Sequence, residues 1–522
     1  MAYLASSSRT RSALACILVS VLALGAAVGC AMPTTGDQGG AVQSNDRTSG
    51  GVTGESLQTG MMIVAPTGRY SLLQRNDVSV LLDVVAQKTR ELSFQAERFV
   101  FAHEGDVGYA WDKKGELVAL DLATGNEKWR VAPSSTDARA LSISQDDGTV
   151  LVGAPDRAAL VDTQTGKLRG EVVLASVPTS VTFLPGGKSA VFVGSTTWSN
   201  HLPETVLTSV GLANLSVSKV SVPNCAAPLV VVPDGSRGFL SPTYCVEDRP
   251  ANTTQTWTNP DPVSVVDFDA KGATFLKNLP GFGPVALDPS GQRAVAYLDT
   301  ARMDAAMFDD KSLVPAAGAD PFHLMVIDTR TLKFTLTPIG HALPRFAMAR
   351  DGKSLLVDAS VKVERLTAKA KVTLDEKGVR LEASAAFGSD APFGTFDLET
   401  RSYAAFAGPV ASLDRFVQTS AGQVFTLKAT ADGLGGDLYR LDLDAKTTTR
   451  IGTSLRDIGI LPDGKTLLLR IRLPAVRRDD GFHRSEEVCF SKDGVACESR
   501  VIYESTSVIP GSTSTCADSH DC

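Results

Sequence analysis

From residue 61 onward the chain repeats one phrase, and that repeat constrains the fold more than any other feature. An apolar run meets a Gly-containing turn, and a second β-branched run follows, as in Val230-Val231-Val232-Pro233-Asp234-Gly235. Clear copies turn at Gly68, Gly148, Gly187, Gly235, Gly291, Gly352 and Gly464, and weaker ones at Gly105 and Gly422. Proline presets φ at the start of such a turn and Asp-Gly supplies its left-handed corner, so the phrase specifies a hairpin.

A second phrase follows most copies after a variable gap: an apolar strand, Asp-x-x-Thr, and another strand. It reads Ala119-Leu120-Asp121-Leu122-Ala123-Thr124-Gly125, then Val161-Asp162-Thr163-Gln164-Thr165-Gly166, then Ile327-Asp328-Thr329-Arg330-Thr331, with looser versions at Asp397 and Asp442. Together the two phrases make four strands per unit, the blade of an all-β propeller. A string of β-sandwich domains would not pair the two turn types so regularly. The turn glycines count nine units. Closure of a ring commonly merges strands from both chain ends in one blade, which hides the open edges. Eight blades are therefore predicted, with seven and nine as the alternatives.

The repeats resemble those of bacterial β-propeller lipoproteins and of the wider YVTN/WD40-like and quinoprotein-like repeat families. The strongest local match is Ala119-x-Asp121-x-x-Thr124-Gly125-x-x-x-Trp129. In the quinoprotein-like repeat this resemblance implies that Trp129 docks on the neighbouring blade. The next unit has Gly170 in that place.

Residues 1–29 read as an export signal, with Arg9 and Arg11 ahead of an apolar run from Ala13 to Val28. That run is shorter than the ~20 residues of a comfortable bilayer span. It ends in Ala27-Val28-Gly29-Cys30, which resembles the lipobox in which the cysteine is diacylated and becomes the new N-terminus. Two acyl chains suffice for stable anchoring. Residues 30–57 then read as the lipidated Cys30 and a Gly/Ser/Thr/Asp-rich tether, whose 27 residues after Cys30 reach roughly 30 Å r.m.s.. The expected location is the bacterial cell envelope. Ala31 after the cysteine implies the outer membrane by the enterobacterial sorting pattern. The propeller is expected over 58–508 and a polar tail over 509–522.

Hydrophobic residues make up 43% of the 522 and charged ones 21%, which excludes global disorder. With 51 basic and 58 acidic side chains, and no basic cluster longer than a pair, no nucleic-acid partner is expected. Six cysteines remain after Cys16 leaves with the signal and Cys30 takes the lipid, an even number that suggests disulfides in an exported chain. Cys225 and Cys245 are equidistant from Gly235. Cys489 and Cys497 bracket Lys492-Asp493-Gly494, and Cys516 with Cys522 would close a small loop in the tail. A metal site is the rival reading, but no CxxC pair occurs and the six histidines are scattered.

The search for catalytic signatures finds no adjacent cysteines of the quinoprotein dehydrogenase kind and no G-x-S-x-G elbow. Ser144-x-Asp146-x-Gly148 matches part of the sialidase Asp-box and reads most simply as a turn. No catalytic residue, cofactor or metal is assigned. The informative irregularity lies in the connections between second and third strands, which lengthen at 196–203, 247–262, 299–319, 364–391 and 473–487. In a propeller these connections emerge on one face, so they would build one raised surface. They carry Trp198, His201, Trp257, Met303, Met307, Phe308, Arg477, Arg478, Phe482 and His483, residue types that binding surfaces enrich. Each aromatic could equally pack beneath its own loop. Asp304, Asp309 and Asp310 could offer oxygen ligands to Ca²⁺ or could form a solvated loop. Residues 367–384 alternate around Asp375-Glu376-Lys377-Gly378 and are predicted to form a protruding hairpin. The function read from these features is a lipid-anchored scaffold or recognition module that binds another envelope protein through this face. The alternatives are an enzyme or small-ligand binder (sugar or lactone class) using the central channel, and a periplasmic sensor.

Overall fold

The structure is a computed structural model that describes residues 52–504 apart from 57–60, 75–77, 200–201, 224–227, 242–253, 257–261, 270–271, 301–304, 317–321, 340–344, 350, 359–362, 376–377, 388–392, 410–412, 414, 430–434, 474–475, 479–480 and 484. Nine four-stranded antiparallel blades follow one another along the chain, at 62–91, 96–131, 140–173, 178–222, 229–279, 282–338, 345–405, 415–452 and 455–504. Within each, the strands run from the innermost, a, to the outermost, d.

Blade 2 shows why the sequence takes this form. Its strands are Ala96–Phe101, Val107–Asp112, Leu117–Asp121 and Glu127–Val131. In the third strand, Val118 and Leu120 pack toward blade 1, while Leu117 and Ala119 pack toward blade 3. A strand with period two that is buried on both faces reads as a continuous apolar run, which is what Leu117-Val118-Ala119-Leu120 is. The d strand has lost one covered face and carries Glu127, Lys128 and Arg130 instead.

Among the described residues the buried apolar side chains fall into nine clusters, one in each seam between neighbouring blades. The molecule therefore has no central core. Its stability resides in the seams, where each fully buried Leu or Phe contributes about 2 kcal/mol.

The ring closes without sharing a strand. The ninth seam packs Met62, Val64, Leu73 and Leu82 of blade 1 against Leu468, Val488, Phe490 and Tyr503 of blade 9. Polar contacts reinforce it: the Met62 N–H donates to Asp457 Oδ2 at 2.6 Å, and Arg470 Nη1 donates to the Met61 carbonyl at 2.8 Å. Because no blade merges the two chain ends, the blade count equals the nine turn glycines rather than the favoured eight. The cost of closing with intact blades is two buried charges. Burial pushes the Asp457 carboxyl up, against the pull of Arg415. Burial also opposes the Arg470 charge, but Tyr503 and Glu486 beside it outweigh that and raise its pKa.

One further strand was not foreseen. Val52–Ser56, inside the stretch read as tether, pairs antiparallel with the a strands of both blade 3 and blade 2. It fuses those blades into one nine-stranded sheet on the channel wall.

Candidate interaction face

Antiparallel order within every blade sends the a–b and c–d turns to one face of the ring and the b–c connections to the other. The two faces are built differently.

The turn face is uniform because its side chains are consumed by turn chemistry. Asp121, Asp328 and Asp397 each accept the N–H of the threonine three residues on, at 2.8, 2.6 and 2.7 Å. Those bonds hold the three carboxyls below the usual range. Asp162 is held down first by the Thr165 hydroxyl. Asp146 accepts from the Ser144 hydroxyl and the Gly148 N–H, so the partial Asp-box is a turn. Four of the a–b turns also interlock with the turn of a neighbouring blade. A Cβ on Gly235 would press on Pro185, one on Gly291 on Pro233, one on Gly352 on Pro289, and one on Gly68 on Pro462. Each glycine thus seats the proline of the preceding blade's turn, and the last of these contacts spans the closure.

The c–d turns interlock with the preceding blade as well. Trp129 reaches from the d strand of blade 2 and donates its indole N–H to the Thr163 carbonyl of blade 3 at 2.9 Å. A Cβ on Gly166 would lie 2.6 Å from its ring. At the next seam the pieces are exchanged: Gly170 on the d strand is the hole, and Leu215, at the turn position of Gly166, is the knob. Leu215 holds φ +57 to do so.

The opposite face carries every long insertion. In blade 4 the b and c strands lengthen to Ser189–Ser199 and Leu202–Gly211, and the tip register pairs Trp198 with Pro203. Insertions from blades 5 and 7 meet: Thr254–Thr256 pairs with Val363–Asp375, which pairs with Gly378–Phe387. The expected hairpin is therefore present, and it has a third strand contributed from two blades away. In blade 9, Val476–Arg478 and Gly481–His483 form a small hairpin that sets Arg477 opposite Phe482 and Val476 opposite His483.

The blade 6 insertion folds differently, into two short 3₁₀ turns, Ala305–Met307 and Lys311–Leu313. Phe308 between them is 1% exposed and meets Phe334 edge to face, with centroids 5.8 Å apart. Of the two roles open to it, Phe308 takes packing beneath its own loop. Met307 is half-buried. Asp310 caps Ser312, whose hydroxyl bond lowers the Asp310 pKa, and Asp309 pairs with Lys277. Asp304, His201, Trp257 and Met303 lie outside the described residues, as do Cys16, Cys30, Cys225, Cys245, Cys516 and Cys522. The remaining cysteines, Cys489 and Cys497, form the expected disulfide across the c–d hairpin of blade 9, with Cα atoms 5.3 Å apart.

Sequence reasoning missed the Arg470–Glu486 pair and the axial strand Val52–Ser56. For the first, an arginine amid Leu467-Leu468-Leu469-Arg470-Ile471 was a readable signal, since a charge in a doubly buried strand needs a partner. For the second, five residues within a Gly/Ser-rich stretch offer almost none.

No protein-family model and no curated protein match the chain. Among solved structures it is similar to hydrazine synthase of Kuenenia stuttgartiensis, at 15% identity over 62% of this chain and 95% of that one, with a TM-score of 0.36. It is also similar to a chain of a mitotic checkpoint complex (12% identity, 45% of this chain and 70% of that one, TM-score 0.35). The third is a eukaryotic initiation factor (9% identity, 86% and 89%, TM-score 0.41). At these scores the architecture rests on the strand pairing described above.

Proposed function

We propose that this protein is a lipid-anchored propeller of the bacterial envelope, placed at the outer membrane, that serves as a protein-binding scaffold. The observation that carries the scaffold role is the confinement of the insertions of blades 4, 5, 6, 7 and 9 to one face, with those of blades 5 and 7 joined in a shared sheet. A connection lengthened only to join two strands has no reason to pair with the connection of another blade. A surface built jointly by several blades is larger than any single loop offers, and its register is set by a rigid ring. Trp198 and the Arg477–Phe482 hairpin sit on the tips of this surface by strand register.

The test is in-cell crosslinking of the wild-type protein with the crosslinked residues mapped by mass spectrometry. Reproducible links from 247–262, 363–387 or 473–487 to one or two envelope proteins are expected. Links confined to the turn face, or none under conditions that trap known neighbours of other envelope proteins, would sink the scaffold reading.

A further inference from the structure

The direction of the axial strand carries a consequence for how the molecule stands on a membrane. Every a strand starts at the insertion face and ends at an a–b turn. Val52 pairs with Ile143, the last residue of its a strand before the Ser144–Gly148 turn, and Gly54 pairs with Leu141. Ser56 pairs with Arg98, near the start of the blade 2 strand. The chain therefore enters the channel at the turn face, descends along the wall between blades 2 and 3, and leaves toward the insertion face, where strand a of blade 1 begins at Met62.

We propose that the lipid tether reaches the ring through the mouth of its central channel on the turn face, so that the turn face looks toward the bilayer and the insertion face points away from it into the aqueous compartment. The partner is then a protein surface exposed to water, rather than lipid headgroups. The orientation rests on the lipid reading of Cys30; the threading does not.

Chain length makes the orientation selective. Between Cys30 and Val52 lie 21 residues, 31–51, with a maximum span of roughly 70 Å. For Gly/Ser-rich composition the r.m.s. reach is only about 25 Å. To place the insertion face on the bilayer, the tether would have to cross the turn face from channel to rim and then run down the outer edge. Four strands spaced about 4.8 Å apart, and strands of five or six residues at about 3.3 Å each, make that path on the order of 35 Å. That is about one and a half times the r.m.s. reach, whereas the upright orientation needs almost none of it. The two faces fit the arrangement. The turn face is a closed mosaic of capped aspartates and seated prolines, while the insertions are all carried outward.

The experiment uses the full lipidated chain in vesicles of phosphatidylethanolamine and phosphatidylglycerol containing a headgroup-labelled energy acceptor. A donor is attached through a non-cysteine handle at Lys188, exposed on the turn face, or at Ala316, exposed in the blade 6 insertion. Transfer from 188 is expected to exceed that from 316 by about two-fold or more, because ~20–30 Å of ring separates the faces. Equal or reversed transfer overturns the orientation. Threading is read separately by the double variant Thr53→Cys with Ser142→Cys, whose residues are register partners. The crosslinked peptide is expected, and its absence from a folded ring overturns the threading. If the peptide bearing Cys30 carries no lipid mass, the anchoring reading fails together with the orientation, while the crosslink still judges the threading.

Discussion

Among the described residues seven non-glycine residues hold positive φ, and five of them, Gln87, Leu215, Leu332, Arg401 and Lys446, occupy one position: the fifth of the c–d turn, where blades 2 and 3 have Gly125 and Gly166. A left-handed L-residue costs about 1 kcal/mol, so the side chain must return something or the position is simply strained. Gln87 bonds Ser499 across the ring closure, Lys446 bonds Thr395 of the preceding blade, and Leu215 fills the hole at Gly170. Arg401 is exposed. The two cases should part on mutation. Arg401→Gly should stabilise by roughly 0.5–1 kcal/mol, because only strain is relieved. Leu215→Gly should destabilise by about 1 kcal/mol, because the lost packing outweighs the relief. Equilibrium unfolding of both variants checks this, and a stabilised Leu215→Gly would show that the knob does not hold the seam.

At the scale of elements, the hairpin turns make the ring acid-sensitive. Backbone N–H groups hold Asp121, Asp328, Asp397 and Asp493 below the usual carboxylate range, and hydroxyls do so for Asp146, Asp162 and Asp234. A depressed folded pKa contributes stability above the unfolded value of about 3.9 and loses it as pH falls through the folded value. Asp457 has the opposite sign: its raised pKa means that acid relieves a penalty. Seven turns against one buried group predict a net fall in Tm below about pH 4. Asn at 121, 162, 328 and 397 keeps an acceptor in each turn without the titration, so that variant should show a shallower fall between pH 5 and 3. An unchanged slope would place the acid sensitivity elsewhere.

At the scale of the molecule, nine seams must all form for the ring to close, and the closing seam carries a fully buried arginine. Arg470 is fully buried on Glu486 and the Met61 carbonyl. Arg470→Ala should therefore cost about 3 kcal/mol, because Glu486 would lose its cation and the Met61 carbonyl its donor inside the seam. Hydrogen exchange should rise first in blades 9 and 1 while the seams of blades 4 to 6 keep their protection, since each apolar seam is built only from two adjacent blades. Exchange that rises uniformly would mean that the ring opens as one unit.

Local chemistry made much of this molecule legible. The two turn phrases reported the blades and their order, because each phrase is a short-range hairpin signal that needs no distant partner, but eight blades were expected where nine turn glycines mark nine. The disulfide at Cys489 and Cys497 was readable for the same reason, whereas the docking of Trp129 followed from the resemblance of its unit to the quinoprotein-like repeat. The face bearing the insertions was readable too, since antiparallel order alone assigns it. Long-range pairing was decided only in three dimensions. Whether the last blade borrows a strand depends on how blades 9 and 1 fit, and the Arg470–Asp457 region settles that. The union of the insertions from 254–256 and 363–387 depends on the ring that brings the connections of blades 5 and 7 within reach of each other. The axial strand depends on a slot between two blades that exists only once both have formed. A sequence specifies hairpins through neighbours a few residues apart. Closure, joined loops and a threaded chain require groups hundreds of residues apart to meet, and only the completed ring brings them together.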